Sequence, residues 1–137
     1  MKSKHKLAII ELMGRAAYAF DMRDLSMLEN CFAAAAVMTV NITDGDAFGP
    51  FEGREAIMGL MAGALDAQTD KRSHIISNIL FESGDNRSAT ILSNVVVSAV
   101  EDGKIALITS GIYRDVVVNV DGEWRIENRH LDLDLPF

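Results

Sequence analysis

An α+β fold, with helices gathered in the first half of the chain and an antiparallel sheet in the second, is predicted by three observations. Apolar residues near the amino terminus recur at helical spacing, and the second half is rich in Ile, Val and Thr runs. Those runs are separated by Asp102-Gly103 and Asp121-Gly122, dipeptides that favour two-residue hairpins. Helices followed by hairpin-linked strands define a layered fold in which one sheet wraps over segregated helices. The 137 residues suit one domain, 1–137, with a single core.

From Ser3 to about Phe20, the residues Leu7, Ile10, Met13, Ala17 and Phe20 form the stripe of an amphipathic first helix that Ser3 is placed to cap. Asp24 can cap a short second helix reaching Phe32, with Leu25, Leu28 and Phe32 on one face. The β-branched run Val37 to Ile42 predicts a strand. Thr43 to Gly53, rich in Gly and Pro, predicts a loop, and Arg54 to Ala67 a third helix. Strands are then expected over His74 to Phe81, Ala89 to Val100, Ile105 to Val120 and Glu123 to Leu133, the first two separated by Ser83-Gly84-Asp85-Asn86. Ile91 to Val97 and Ile105 to Ile108 are apolar on both alternating faces, whereas a sheet with one wet face alternates cleanly. Three short helices cannot cover both faces, so a homodimer through the sheet is expected.

With 49% hydrophobic and 24% charged residues, the chain has the composition of a globular protein. A net charge of −7 with no Lys/Arg cluster excludes nucleic acid and anionic membrane as expected partners, since both require a positive footprint. Cys31 is the only cysteine, so no internal disulfide can form, and a buried, inert thiol in a reducing compartment is expected. Leu7 to Ile10 is too short an apolar run for an export signal or a membrane span, and the expected location is cytoplasmic.

Four segments carry a family resemblance: Tyr18-Ala19-Phe20-Asp21-Met22-Arg23-Asp24, Phe51-Glu52-Gly53-Arg54-Glu55-Ala56-Ile57, Ser73-His74, and Asp121-Gly122-Glu123-Trp124-Arg125-Ile126-Glu127-Asn128-Arg129. In this order they resemble the SnoaL-like branch of the nuclear transport factor 2-like superfamily. The resemblance covers nearly the whole chain. It implies a cone-shaped α+β barrel of nuclear transport factor 2-like or cystatin-like type, with the amino-terminal helices packed in a curved mixed or antiparallel sheet. Within that branch the placement looks most like that of scytalone dehydratase and hexachlorocyclohexane dehydrochlorinase, where an Asp ending the first helix orients a His at the start of a strand. The matching residues are Asp21 and His74, and Arg129, in the segment after Trp124, matches an Arg of the dehydrochlorinase. The second catalytic His of scytalone dehydratase has no counterpart, the strand Ala89 to Val100 offering only Asn94 and Ser98 as interior polar candidates.

The chemistry that this resemblance implies is proton abstraction without a cofactor. A neutral imidazole is matched to taking a proton near neutral pH, and a carboxylate on its other N–H improves it. Asp21 and His74 are the candidate base pair, Arg129 the candidate stabiliser of a developing anion, and Tyr18, Tyr113 and Asn94 candidate hydrogen-bond donors to a substrate oxygen. Phe20, Phe48, Met58 and Val96 are candidates for shaping a pocket for a small apolar or cyclic molecule. The expected reaction class is a lyase of dehydratase or elimination type, or an isomerase. A non-catalytic ligand-binding or dimerisation module is the alternative, and an accessory subunit similar to the small subunit of ring-hydroxylating oxygenases is a third reading.

Each candidate also has a structural reading. His74 can be a strand residue satisfied by backbone, and Asp21 the polar end of a helix with Arg23 or Arg15 as partner. Arg129 can form an ion pair with Glu127, Asp132 or Asp115. His130 should face away from Arg129 in a regular strand, and His5 is expected at the surface. No metal site is expected, because the three histidines are scattered. Asp46 to Gly53 lacks the basic residue and hydroxyl of a phosphate loop and is expected to form a mobile lip over the pocket. Asp132 and Asp134 read as the wet face of the last strand. Met58 and Met61 read as adaptable core.

Overall fold

The computed structural model describes residues 1–137. The elements are α1 (Ser3–Asp21), α2 (Leu25–Asn30), β1 (Phe32–Ile42), β2 (Ala47–Glu52), α3 (Arg54–Ala67), β3 (Lys71–Gly84), β4 (Ser88–Glu101), β5 (Lys104–Val120) and β6 (Glu123–Leu133). The fold is α+β. Six strands form one curved, unclosed sheet in the order β2-β1-β6-β5-β4-β3, and the helices pack against one of its faces.

The hairpins arise where the sequence places them. Asp102 and Gly103 have φ of 53° and 72°, and Asp121 and Gly122 have φ of 53° and 90°, the paired left-handed conformations whose twist matches that of flanking strands. The meander β3 to β6 is antiparallel, but β1 joins β6 in parallel, so the sheet is mixed. Register shifts between Ser77 and Leu80, between Val97 and Ser98, and between Val116 and Val117 mark irregularities of the kind that bend strands and let the sheet curl around the helices. Gly111 lies against β6 with no room for a side chain: an added Cβ would stand 2.2 Å from the Asp132 carbonyl oxygen.

Several local expectations are corrected. Thr43 to Gly53 is not simply a loop, because Ala47–Glu52 pairs with β1, where Met38 faces Phe51 across the ladder. The strand expected at Val37 begins at Phe32, where Phe32 pairs with Ile126 before the regular ladder to β6 resumes at Val37, and the second helix stops at Asn30. Ser3 provides no cap, Lys2 occupying that position without a side-chain bond, whereas Asp24 accepts from the Met27 amide at 3.0 Å. The buried stripe of α1 is Ile9, Leu12, Met13, Ala16 and Ala19, leaving Leu7 and Ile10 exposed. The run Leu7-Ala8-Ile9-Ile10 is apolar all round, so spacing alone could not choose the register.

One core joins α1, α2 and α3 to the inner sheet face around Phe32, Met38, Ile57, Ile91 and Ile126. Cys31 is buried within it and its thiol is pushed up by burial, against weaker opposing pulls from Arg15, Arg129 and Arg125. The outer face carries exposed Ile75, Leu80, Leu107 and Ile112. No helix is long and apolar enough to cross a membrane.

Candidate functional site

The inner sheet face alternates with the outer one, and this alternation decides which polar side chains reach the helices. On β3, Arg72, His74 and Ile76 point inward. Across the sheet, Ile91, Asp115, Arg129 and Met38 form one cross-strand row, and Ser93, Tyr113, Leu131 and Val40 the next. Between this face and helices α1 and α3 lies a cavity of about 80 Å³ whose lining is hydrophobic at 16 of 21 residues. His74 and Arg129 are among the five others, and the Tyr113 hydroxyl adds one more polar group.

Asp21 closes α1 and reaches β3. Its Oδ2 accepts from the His74 backbone N–H at 2.7 Å, and its Oδ1 lies 2.6 Å from His74 Nδ1. An ionised carboxylate can only accept, so a ring hydrogen belongs on Nδ1, and in the neutral imidazole that leaves the lone pair on Nε2. Nε2 makes no hydrogen bond within the protein. The edge of Phe20 packs against the imidazole, with ring centroids 5.1 Å apart. The rival partners of Asp21 are engaged elsewhere: Arg15 pairs with Glu11, and Arg23 donates to the carbonyls of Leu65 and Gln68.

Arg129 is held on the opposite side of the cavity. Its Nε and Nη2 donate to the two carboxylate oxygens of Asp115 at 2.7 and 3.1 Å, and Asp115 is fully buried. Burial opposes the charge on Arg129, but the attraction and hydrogen bonds of Asp115 outweigh it and hold the guanidinium above its ordinary value. Arg129 thus forms the ion pair that its structural reading anticipated, with Asp115 and not Glu127 or Asp132. Its Nη1 still has no hydrogen-bond partner, and the guanidinium lies 4.7 Å from the centre of the Tyr113 ring. Burial pushes the Tyr113 phenol up to about 12, with Arg129 pulling it down and Asp115 and Asp21 pushing it further up. Tyr113 is therefore a neutral donor under the influence of Arg129, Asp115 and Asp21.

The other candidates divide by face. Phe20 lines the cavity. Tyr18 does not: it is exposed on the outer side of α1, two residues before Phe20 and so rotated away. Asn94 is exposed on the outer sheet face and Val96 lies on that face too, because the inward residues of β4 are Ile91, Ser93, Val95 and Val97. Phe48 is exposed on β2, and Met58 packs against the core beside the cavity, where Leu60 and Met61 provide the α3 wall. His130 faces away from Arg129 as expected, its Nδ1 2.5 Å from Thr39 Oγ1 and its Nε2 3.0 Å from Asp132. His5 is not simply at the surface: Trp124 Nε1 donates to its Nδ1 at 3.0 Å, tying α1 to β6.

The sequence reading missed Arg72, Thr109 and Phe137 as cavity residues and Asp115 as the settled partner of Arg129. Period-two spacing from His74 would have found Arg72. An Asp directly before Val116-Val117-Val118 is the signal for a buried, paired carboxylate. No group of three or more His, Cys, Asp or Glu side chains is placed to hold a metal ion.

A curved, open sheet wrapped over helices beside an apolar cavity, with an Asp-His pair in its wall, defines the class of small α+β pocket proteins. Residues 2–130 match the SnoaL-like domain, and the chain belongs to that family, within the nuclear transport factor 2-like superfamily. Its similarity to solved structures runs the length of the chain. A cystatin-like-fold protein of unknown function from Nostoc punctiforme superposes with a TM-score of 0.82 at 24% identity, covering 99% of this chain and 97% of that one. A candidate scytalone dehydratase from Novosphingobium aromaticivorans gives 0.77 at 24% identity, covering 98% and 89%. The β subunit of a candidate aromatic-ring-hydroxylating dioxygenase from the same organism gives 0.81 at 15%, covering 95% and 89%. At these identities the likeness is one of fold. Among proteins of curated function, none matches the chain.

Proposed function

We propose that the protein is a cofactor-independent lyase or isomerase that removes a proton from a small apolar or cyclic molecule. The observation that carries this reading is the Asp21-His74 contact of 2.6 Å in the wall of an apolar cavity, which leaves Nε2 as the free basic atom. Nε2 takes a proton from carbon, and the electron pair of that C–H bond forms the new double bond. In an elimination the leaving group departs with its bonding pair, and a departing hydroxide takes the proton back from the imidazolium to give water. In an isomerisation the proton returns to a different carbon. Asp21 stabilises the imidazolium while it lasts. Tyr113 donates to the oxygen on which charge grows, and the free Nη1 of Arg129 adds positive potential in a largely apolar site.

Three further features fit this reading. The narrow cavity suits a substrate no larger than one or two small rings. The exposed Leu107 and Ile112 give the outer face the character of an interface, and a homodimer through the sheet would cover it. The lone buried thiol suits a reducing compartment, the cytoplasm being the natural one. An accessory-subunit role draws on the same outer face and on the fold shared with the dioxygenase β subunit. That role requires no free base in the cavity, and the Asp21-His74 geometry favours the enzyme.

The test is direct detection of proton abstraction. The protein is incubated in deuterium oxide with a panel of small cyclic ketones and β-hydroxy ketones, and deuterium entry and alkene formation are followed by NMR. Exchange or elimination that disappears in His74→Ala supports the reading. Activity unaffected in His74→Ala, or none across the panel while the same compounds bind, overturns it in favour of a binding module.

A further inference from the structure

Beside the apolar cavity, at the Asp21-His74 pair, lies a polar cleft between the end of α1 and the segment joining α3 to β3. Phe20, Gln68 and Arg72 line both spaces, and Lys71 lines the cleft. The charges there are unevenly committed. Asp21 gives both oxygens to His74, and Arg23 spends its two terminal nitrogens on the carbonyls that end α3, at 2.8 and 2.9 Å. Asp70 takes only Nε of Arg72, at 3.0 Å. The two terminal nitrogens of Arg72 make no hydrogen bond, although the side chain is only 14% exposed, and the Lys71 ammonium has no ion-pair partner. A guanidinium fork held by its Nε, with both ends free beside an apolar cavity, is shaped to take a carboxylate through two parallel hydrogen bonds.

We infer that the ligand of this pocket is an apolar carboxylic acid, its hydrocarbon body beside His74 and its carboxylate on the terminal nitrogens of Arg72. This rests on the cavity being the reactive site and adds the substrate class. Arg72 and His74 are two residues apart on one face of β3, so their attachment points lie about 6.5 Å apart. The carboxylate is then separated from the reacting carbon by a few bonds and does not itself react. Arg72 is a specificity residue, and Lys71 adds potential at the mouth.

The probes are phenylacetate, phenylpropanoate and phenylbutanoate, each beside its primary amide, titrated by NMR into the full chain. At least one acid should bind about tenfold or more tightly than its amide, as expected for hydrogen bonds between charged groups. Arg72→Gln should abolish that preference, and Arg72→Lys should restore part of it. His74→Ala should leave it intact, so a failure of the proposed chemistry and a failure of carboxylate recognition are read separately. Equal binding of acid and amide, no binding of any probe, or a preference that survives Arg72→Gln overturns the inference. So does a preference lost in Arg129→Met but kept in Arg72→Gln, which would put the carboxylate at the other end of the cavity.

Discussion

Asp21 grips His74 twice, once through the backbone amide at 2.7 Å and once through the ring at 2.6 Å. The first contact fixes where β3 lies against the end of α1, and the second fixes which imidazole nitrogen faces the cavity. One carboxylate thereby sets both the position and the tautomer of the candidate base, a coupling with consequences that can be measured.

The Nδ1 proton of His74 should give a far-downfield NMR signal in the wild type, and Asp21→Asn should remove it. The same substitution should lower any proton-abstraction rate by about 10²-fold or more, within the range that a positioned base contributes. An unchanged ring-proton signal in the variant would show that the carboxylate does not hold the imidazole.

Asp115→Ala leaves the Arg129 guanidinium buried without its carboxylate, and breaking such a pair costs about 3–5 kcal/mol. Urea denaturation should show that loss. Combining the change with Arg129→Met should recover most of it, because both charges are then gone from the core. A single variant as stable as the wild type would mean that the pair is solvated in solution.

Tyr113 gives a signed pH dependence. In the unfolded chain its phenol ionises near pH 10, as an ordinary tyrosine does, and in the folded protein near 12. The neutral form is the one the fold accepts, so stability is intact below about pH 10 and falls as pH rises towards 12, by about 2–3 kcal/mol if burial alone acts. Denaturation at about pH 9 and about pH 11.5 should show a larger alkaline loss in the wild type than in Tyr113→Phe. Equal losses would place the phenol in water.

The outer sheet face should hold two copies together. Leu107→Lys with Ile112→Lys should convert a dimer, measured by light scattering on a sizing column, into a folded monomer with an unchanged far-ultraviolet spectrum. A monomeric wild type would show instead that the exposed face serves another partner or none.

Much of this architecture is legible in local chemistry. Asp102-Gly103 and Asp121-Gly122 specify hairpins because few other dipeptides adopt two successive left-handed residues without strain, and the hairpins set the order of β4, β5 and β6. Asp21 and His74 were legible as a pair through the family resemblance, since one ends a helix and the other lies near the start of the strand β3, which begins at Lys71.

What the sequence by itself determined, then, is the α+β class, the hairpin meander and the identity of the Asp-His pair, all of which rest on spacing, turn chemistry or motif position. Tertiary structure alone decided which faces those residues occupy. Leu7 and Ile10 lost the core to Ile9 and Leu12, Asn94 was turned outward, and Ala47–Glu52 became a strand. It also chose Asp115 for Arg129 and left the fork of Arg72 free at the cavity mouth. Side-chain period fixes that neighbours on a strand point opposite ways. Which way is inward depends on the register of pairing and on where the helices land, and both are settled only by long-range burial.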